Sequence, residues 1–270
     1  MTDSPLGETT PFADHYSPDL LFGIPRAENR ARLGLSEELP FDGVDIWNAW
    51  EMSWLAANGQ PRVATAEIRV PAGSPAIAES KSLKLYLGSF AMTQYASGAD
   101  VRELIAKDVG EIVGTAVDVR LDAIANTEGA CSGQMPGESL DRVDVSCDAR
   151  EVDTGLLSAD ADSVANEELH SNLLRSLCPV TSQPDSGSVL VRYQGPRMDR
   201  EGLLRYIVSY RQHQDFHENC VERMFVDIQE HCRPGKLTVY ARYQRRGGID
   251  INPFRSNFES SPPNLRLWRQ

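Results

Sequence analysis

Cys178 lies in SLCPVTSQPDSGS, where Pro179, Pro184 and Gly187 interrupt regular structure directly after a strand-like stretch. That spacing predicts a thiol in a turn-rich loop, the kind of segment that often hosts a nucleophile. A thiol attacks as its thiolate, for which Asp185 could pass a proton and His217, on a later segment, could favour the charged form. The alternative is a small buried hydrophobe, because free cysteine is among the residues most often found inside. His217 and Glu218 open HENCVERMFVDIQEH, where an acidic group in the first helical turn suits the helix dipole and can equally be a cap. His217, Cys220, His231 and Cys232 also suggest a metal set, but one helix separates the two pairs by roughly 20 Å, too far to share one ion.

Two further segments have chemical potential. ESKSLKLYLGSF places Glu79 and Ser80 at a helix start and Lys81 and Lys84 on one face, which as an isolated pattern is also that of a solvated amphipathic helix. Arg245, Arg246, Gly247 and Gly248 end a strand at a hairpin, where glycines permit close backbone approach and arginines can fork onto phosphate. An ordinary basic turn reads the same way.

The elements that would position these groups come in two similar runs. Alternation and helical spacing predict strands over 44–56 and 61–71, helices over 80–92 and 99–113, a strand over 115–124, and a further strand in VDVSCDA. The second run has LHSNLLRSLCPVT, SVLVRYQGP, helices from Arg200 to His213 and from Glu218 to His231, then KLTVYARYQRR and IDINPF. AEIRVPAG and VLVRYQGP each end a strand at a turn before a helix. Between the runs, CDAREVDTGLLSADADSVANEE reads as an exposed connection, giving domains over 1–155 and 156–270 with residues 1–40 as a peripheral arm. Adjacent antiparallel strands with two helices on one face make an α+β layer, and no GxGxxG follows a strand, so any nicotinamide needs a site outside the Rossmann type.

Composition narrows the function class. A chain of 270 residues with 41% hydrophobic and 24% charged residues is globular, and no apolar run is long enough to span a membrane as a helix. The start lacks the pattern of a signal peptide, and an odd count of five cysteines points to reduced thiols, so the expected location is the cytoplasm. A net charge of −12 would repel a phosphate backbone, which argues against direct nucleic-acid binding.

In this order, ESKSLKLYLGSF, CPVTSQPDSGS, FHENC and RRGGIDINPFRS resemble the long two-module form of the 7-cyano-7-deazaguanine reductases, nitrile reductases on the route to the modified tRNA base queuosine. The resemblance spans nearly the whole chain. It implies tandem tunnelling-fold modules, each an antiparallel sheet backed by two helices, and NADPH as cofactor. It further implies Cys178 as the nucleophile that forms a thioimide, Asp185 as general acid, and His217 as a helper in proton transfer. Ala78, Glu79, Ser80, His217 and Glu218 would hold the deazapurine, and Ser80, Lys81, Arg246 and Gly247 would contact NADPH. The family's long form also implies a homodimer. One departure is visible: many members carry tryptophan after the acidic residue, and this chain has Ser186. Two other classes stay open, a purine-binding module in which Cys178 is core, and a cyclohydrolase-like enzyme, which would need zinc.

Overall fold

The computed structural model describes residue 13 and residues 15–124 and 133–270. Cys131 and most of the first fourteen residues, part of the expected arm, lie outside them. The described residues form two compact units, one drawn from Met1–Gly34, Asp45–Cys131 and Arg245–Asp250, the other from Leu35–Val44, Ser132–Gln244 and Ile251–Gln270.

The first unit contains β1 (Gly23–Pro25), α1 (Ala27–Arg32), β2 (Asp42–Ala56), β3 (Pro61–Pro71), β4 (Ala76–Ala78), α2 (Ser80–Gly88), β5 (Gln94–Tyr95), α3 (Gly98–Val113) and β6 (Asp118–Ala123). β3 is hydrogen-bonded to β2 on one side and antiparallel to β6 on the other. α3 starts at a capping box, Ser97 with Asp100, and stops at Gly114, whose φ of 76° suits a residue without Cβ. Its Val101, Ile105, Val109 and Val113, four residues apart, form the buried face. Asp108 accepts hydrogen bonds from Tyr16 and Tyr86 at 2.7 Å each. Burial, then the Asp108 carboxylate, pushes the Tyr86 hydroxyl far above its ordinary range, which keeps it a donor.

Residues 15–33 are not a peripheral arm. β1 pairs antiparallel with β4, and Arg26, 3% exposed, forms an ion pair with Asp45 at 2.5 Å. A buried guanidinium needs that partner, so the segment is held in place.

The second unit contains β7 (Glu138–Ser139), β8 (Ala159–Leu177), β9 (Pro184–Met198), α4 (Arg200–Ser209), α5 (His217–Cys232), β10 (Lys236–Tyr243) and β11 (Ile249–Ser256). β8, β9, β10 and β11 pair antiparallel in that order. α5 buries Val221, Met224, Phe225 and Ile228, and Phe41 packs edge-on against Phe225. In both units antiparallel ladders with two main helices realise the α+β class expected from the sequence.

Two expectations fail here. Residues 143–149 form no strand, because the alternation there has no neighbouring ladder to join. The acidic stretch expected as an exposed connection is, from Ala159, the first half of β8. Its carboxylates face arginines: Glu168 meets Arg192 at 2.8 Å, and Glu167 meets Arg197 at 3.0 Å and Arg200 at 3.1 Å. Cross-strand charge pairs of this kind give a strand the composition of a loop.

β8 is irregular against β9 at two places, between Asp160 and Val164 and, nearer the hairpin, between Ser171 and Leu174, where it carries one extra residue. Ser171 faces Val189 and Leu174 faces Gly187, so three steps on β8 match two on β9, a β-bulge at Asn172 and Leu173. Asp141 anchors it, accepting from the Ser171 hydroxyl at 2.7 Å, the Asn172 backbone N–H at 3.0 Å and the Asn172 side-chain amide at 2.8 Å. Replacing Asp141 with alanine removes all three bonds, and urea unfolding is expected to show a loss of about 2–3 kcal/mol, the scale of bonds to a charged acceptor.

Candidate active site

The β8–β9 hairpin closes with Ser176 opposite Asp185 and Leu177 opposite Pro184. Cys178 follows: its N–H donates to Gln183 O at 2.9 Å and its carbonyl accepts from Ser182 N at 2.9 Å, so the thiol stands at the mouth of the turn and is partly exposed. Alternation along the strand carries Ser176 and Cys178 to the side on which Asp185 lies. A second tie fixes this end, because Leu177 N donates to His213 O at 2.8 Å and Leu177 O accepts from Asp215 N at 3.2 Å. Asp215 also accepts from Phe216 N at 2.8 Å and the Asn219 amide at 2.7 Å, which sets the start of α5.

His217 and Glu218 are the first two residues of that helix. His217 Nε2 is 3.7 Å from Asp185 Oδ2, and its ring meets Tyr243 edge-on with centroids 4.1 Å apart. Asp185 is 2% exposed and Glu218 1%. A carboxylate buried in a first turn gains from the helix dipole, and Phe216 in the cap position offers no side-chain acceptor. Cys178, Asp185, His217 and Glu218 thus all belong to the second unit, on the hairpin end and the helix tied to it.

Tyr243 escaped the sequence reading. It lies opposite Gly187, where a Cβ would come within 3.0 Å of Arg242 O and 3.1 Å of the Tyr243 ring, so a larger residue there would crowd the aromatic. That small-opposite-large pair is the signal that marks it. Close by lies Cys220, whose thiol is pushed well above its ordinary range by burial. Burial likewise pushes the Cys232 thiol up to about 11. Cys147 is exposed on a stretch without regular structure.

The remaining site residues belong to the first unit. Ala78 ends β4, and Glu79, 1% exposed, is the N-cap of α2: Oε1 accepts from Lys81 N at 2.9 Å and Oε2 from Ser82 N at 2.8 Å. Ser80 donates to the same carboxylate at 3.4 Å. Arg246 and Ile249 bracket a two-residue turn in which Gly247 and Gly248 both have positive φ, 59° and 81°. Trp50 N donates to Gly248 O at 2.9 Å, and the Arg245 guanidinium lies over the Trp50 ring. A Cβ at Gly247 would be 3.2 Å from Lys84 Cδ. The basic turn therefore lies against the helix that bears Ser80, Lys81 and Lys84, a cationic, glycine-lined setting that fits the phosphates of NADPH.

Residues 12–121 match the family described as nitrile reductase, 7-cyano-7-deazaguanine-reductase N-term, and residues 184–262 match the QueF-like protein family. Full-length relatives include the NADPH-dependent 7-cyano-7-deazaguanine reductases of Burkholderia vietnamiensis, 54% identical, and Burkholderia multivorans, 52% identical, each match covering 99% of this chain and 98% of the relative. The reductase of Burkholderia ambifaria is 53% identical over the same shares. Among solved structures, the archaeosine synthase QueF-Like in its apo form aligns with a TM-score of 0.31 and 19% identity, over 37% of this chain and 97% of that one. With both halves matched and relatives of more than half identity over nearly the whole length, the chain belongs to the NADPH-dependent 7-cyano-7-deazaguanine reductase family.

Proposed function

We propose that this chain reduces the nitrile of 7-cyano-7-deazaguanine to the aminomethyl group, with Cys178 as covalent nucleophile. The names of its relatives support the reaction, and the observation that carries the residue roles is the hairpin end, where a partly exposed thiol follows β8 and Asp185, at the start of β9, lies 3.7 Å from His217. The Cys178 thiolate adds to the nitrile carbon and the nitrogen takes up a proton, giving a thioimide that accepts hydride more readily than the nitrile does. Asp185 supplies protons to that nitrogen as general acid, and His217 assists the transfer. NADPH, when bound, supplies hydride, twice for each amine formed. After the first reduction the Cys178 thiolate leaves, and the imine stays held until the second.

Glu218, buried in the first turn of α5, accepts from ring N–H groups of the deazapurine. Ala78, Glu79 and Ser80 are assigned further ring contacts, and Ser80, Lys81, Arg246 and Gly247 the cofactor contacts. A chain of net charge −12 suits a small-molecule substrate better than direct tRNA binding. Homodimer formation and a cytoplasmic setting complete the reading.

Three outcomes are expected. Intact-protein mass spectrometry after mixing with 7-cyano-7-deazaguanine, without NADPH, shows one adduct that maps to Cys178 and is discharged as the amine when NADPH is added. Cys178→Ala loses the adduct and lowers turnover on the order of 10³-fold or more; normal turnover in that variant refutes the nucleophile. Asp185→Asn, which keeps the shape and loses the acid, lowers turnover about 10²- to 10⁴-fold in steady-state assays.

Thiol labelling separates the cysteines. At pH 8 a group titrating near 11 is thiolate in about one molecule in a thousand, so buried Cys232 is expected to resist iodoacetamide in the native protein, as is Cys220, while Cys147 and Cys178 react. Peptide mapping before and after unfolding checks this, and native labelling of Cys220 would contradict its burial.

A further inference from the structure

Neighbouring residues on a strand point to opposite faces, so Arg242 projects away from the side on which Tyr243 meets His217. There residues 264–270 cover the sheet. Arg242 is 1% exposed; its Nε donates to Gln270 Oε1 at 3.0 Å, and its Nη1 to Tyr240 Oη and Asn264 Oδ1 at 2.7 Å each. Its Nη2 is sealed from solvent and has no hydrogen-bond partner among the described residues. Every one of those acceptors is neutral.

Arg242 also lines a cavity of about 170 Å³, with Ser186, Ser188, Gln244, Arg269 and Gln270 in its wall. Arg269 donates to Asn172 O, Gly187 O and Ser188 Oγ, again neutral acceptors. No aspartate or glutamate lines the cavity, and among the described residues neither arginine forms an ion pair with a carboxylate. A buried cation whose neighbours are all neutral is unfavourable, and in a chain of net charge −12 buried Arg242 shares this small cavity with a second, exposed arginine, Arg269. A liquid water takes up about 30 Å³, so the space holds a small ion with some hydration.

We propose that this cavity is a binding site for a small inorganic oxyanion of phosphate size, separate from the substrate and cofactor residues. The anion supplies the counter-charge that buried Arg242 lacks, with Arg269 as a second donor from the rim. Because Arg269 and Gln270 belong to the segment covering the sheet, its binding also fastens that segment to β9 and β10.

Equilibrium dialysis of the full chain against radiolabelled inorganic phosphate, at ionic strength fixed with chloride, tests the site. The expected result is one saturable site per chain, retained in a Lys81→Ala/Arg246→Ala variant and not displaced by NADP⁺. Arg269→Met, at an exposed position, and Arg242→Gln are each expected to weaken binding at least about tenfold, as losing one charge-assisted hydrogen bond does. If Arg242→Gln fails to fold, Arg269→Met alone decides. The proposal is overturned by an absence of saturable binding, by unchanged affinity in Arg269→Met, or by displacement with NADP⁺, which would make the phosphate a tenant of the cofactor site.

Discussion

A strand shows alternate residues to alternate sides, so a thiol and an acid on paired strands meet only if the register between them has the right parity. In β8 that parity depends on the bulge at Asn172 and Leu173. Leu169, Ser171, Leu174 and Ser176 are all buried although an odd step separates Ser171 from Leu174. The extra residue shifts the phase, and everything after it, including Cys178, takes its side from that shift. Asp141 holds the bulge, and the bonds from Leu177 to residues 213 and 215 hold the far end. Between these two anchors the hairpin has little freedom to slip, and α5 begins where the second anchor leaves it.

Much of this was legible in the sequence. Strong alternation in 44–56, 61–71 and KLTVYARYQRR, and helical spacing in 99–113 and from Glu218 to His231, predicted elements within a few residues of those observed. The turn after Leu177 was readable from Pro179, Pro184 and Gly187 because those residues restrict the backbone locally. What stayed hidden depends on partners far along the chain. The acidic half of β8 looked like a loop because its stabilising arginines lie on β9 and α4. Val143–Ala149 looked like a strand because alternation says nothing about whether a neighbour exists. The docking of residues 15–33 turned on Arg26 finding Asp45, and the role of Tyr243 turned on which residue lies across from it. The candidate nucleophile, acid and helix start were visible by type and spacing, whereas their separation and burial were not.

Burial sorts the cysteines of the second unit by chemistry. Cys220 lies one turn into α5 from His217, yet the interior denies it ready ionisation, while Cys178 emerges where the ladder ends. The same interior that disfavours one thiolate supplies rigid walls for the other, since Ser176, Tyr243 and Cys220 pack together under the hairpin.

Glu79 spends both carboxylate oxygens on the first turn of α2, one on each of two successive amides. Asp199 caps α4 in the same manner, through Glu201 N and Gly202 N, so the cap itself needs only a carboxylate, whereas a neutral amide has one acceptor oxygen for two donors. The folding of α2 and whatever Glu79 contacts are written in one side chain. Selection on either is felt by the other.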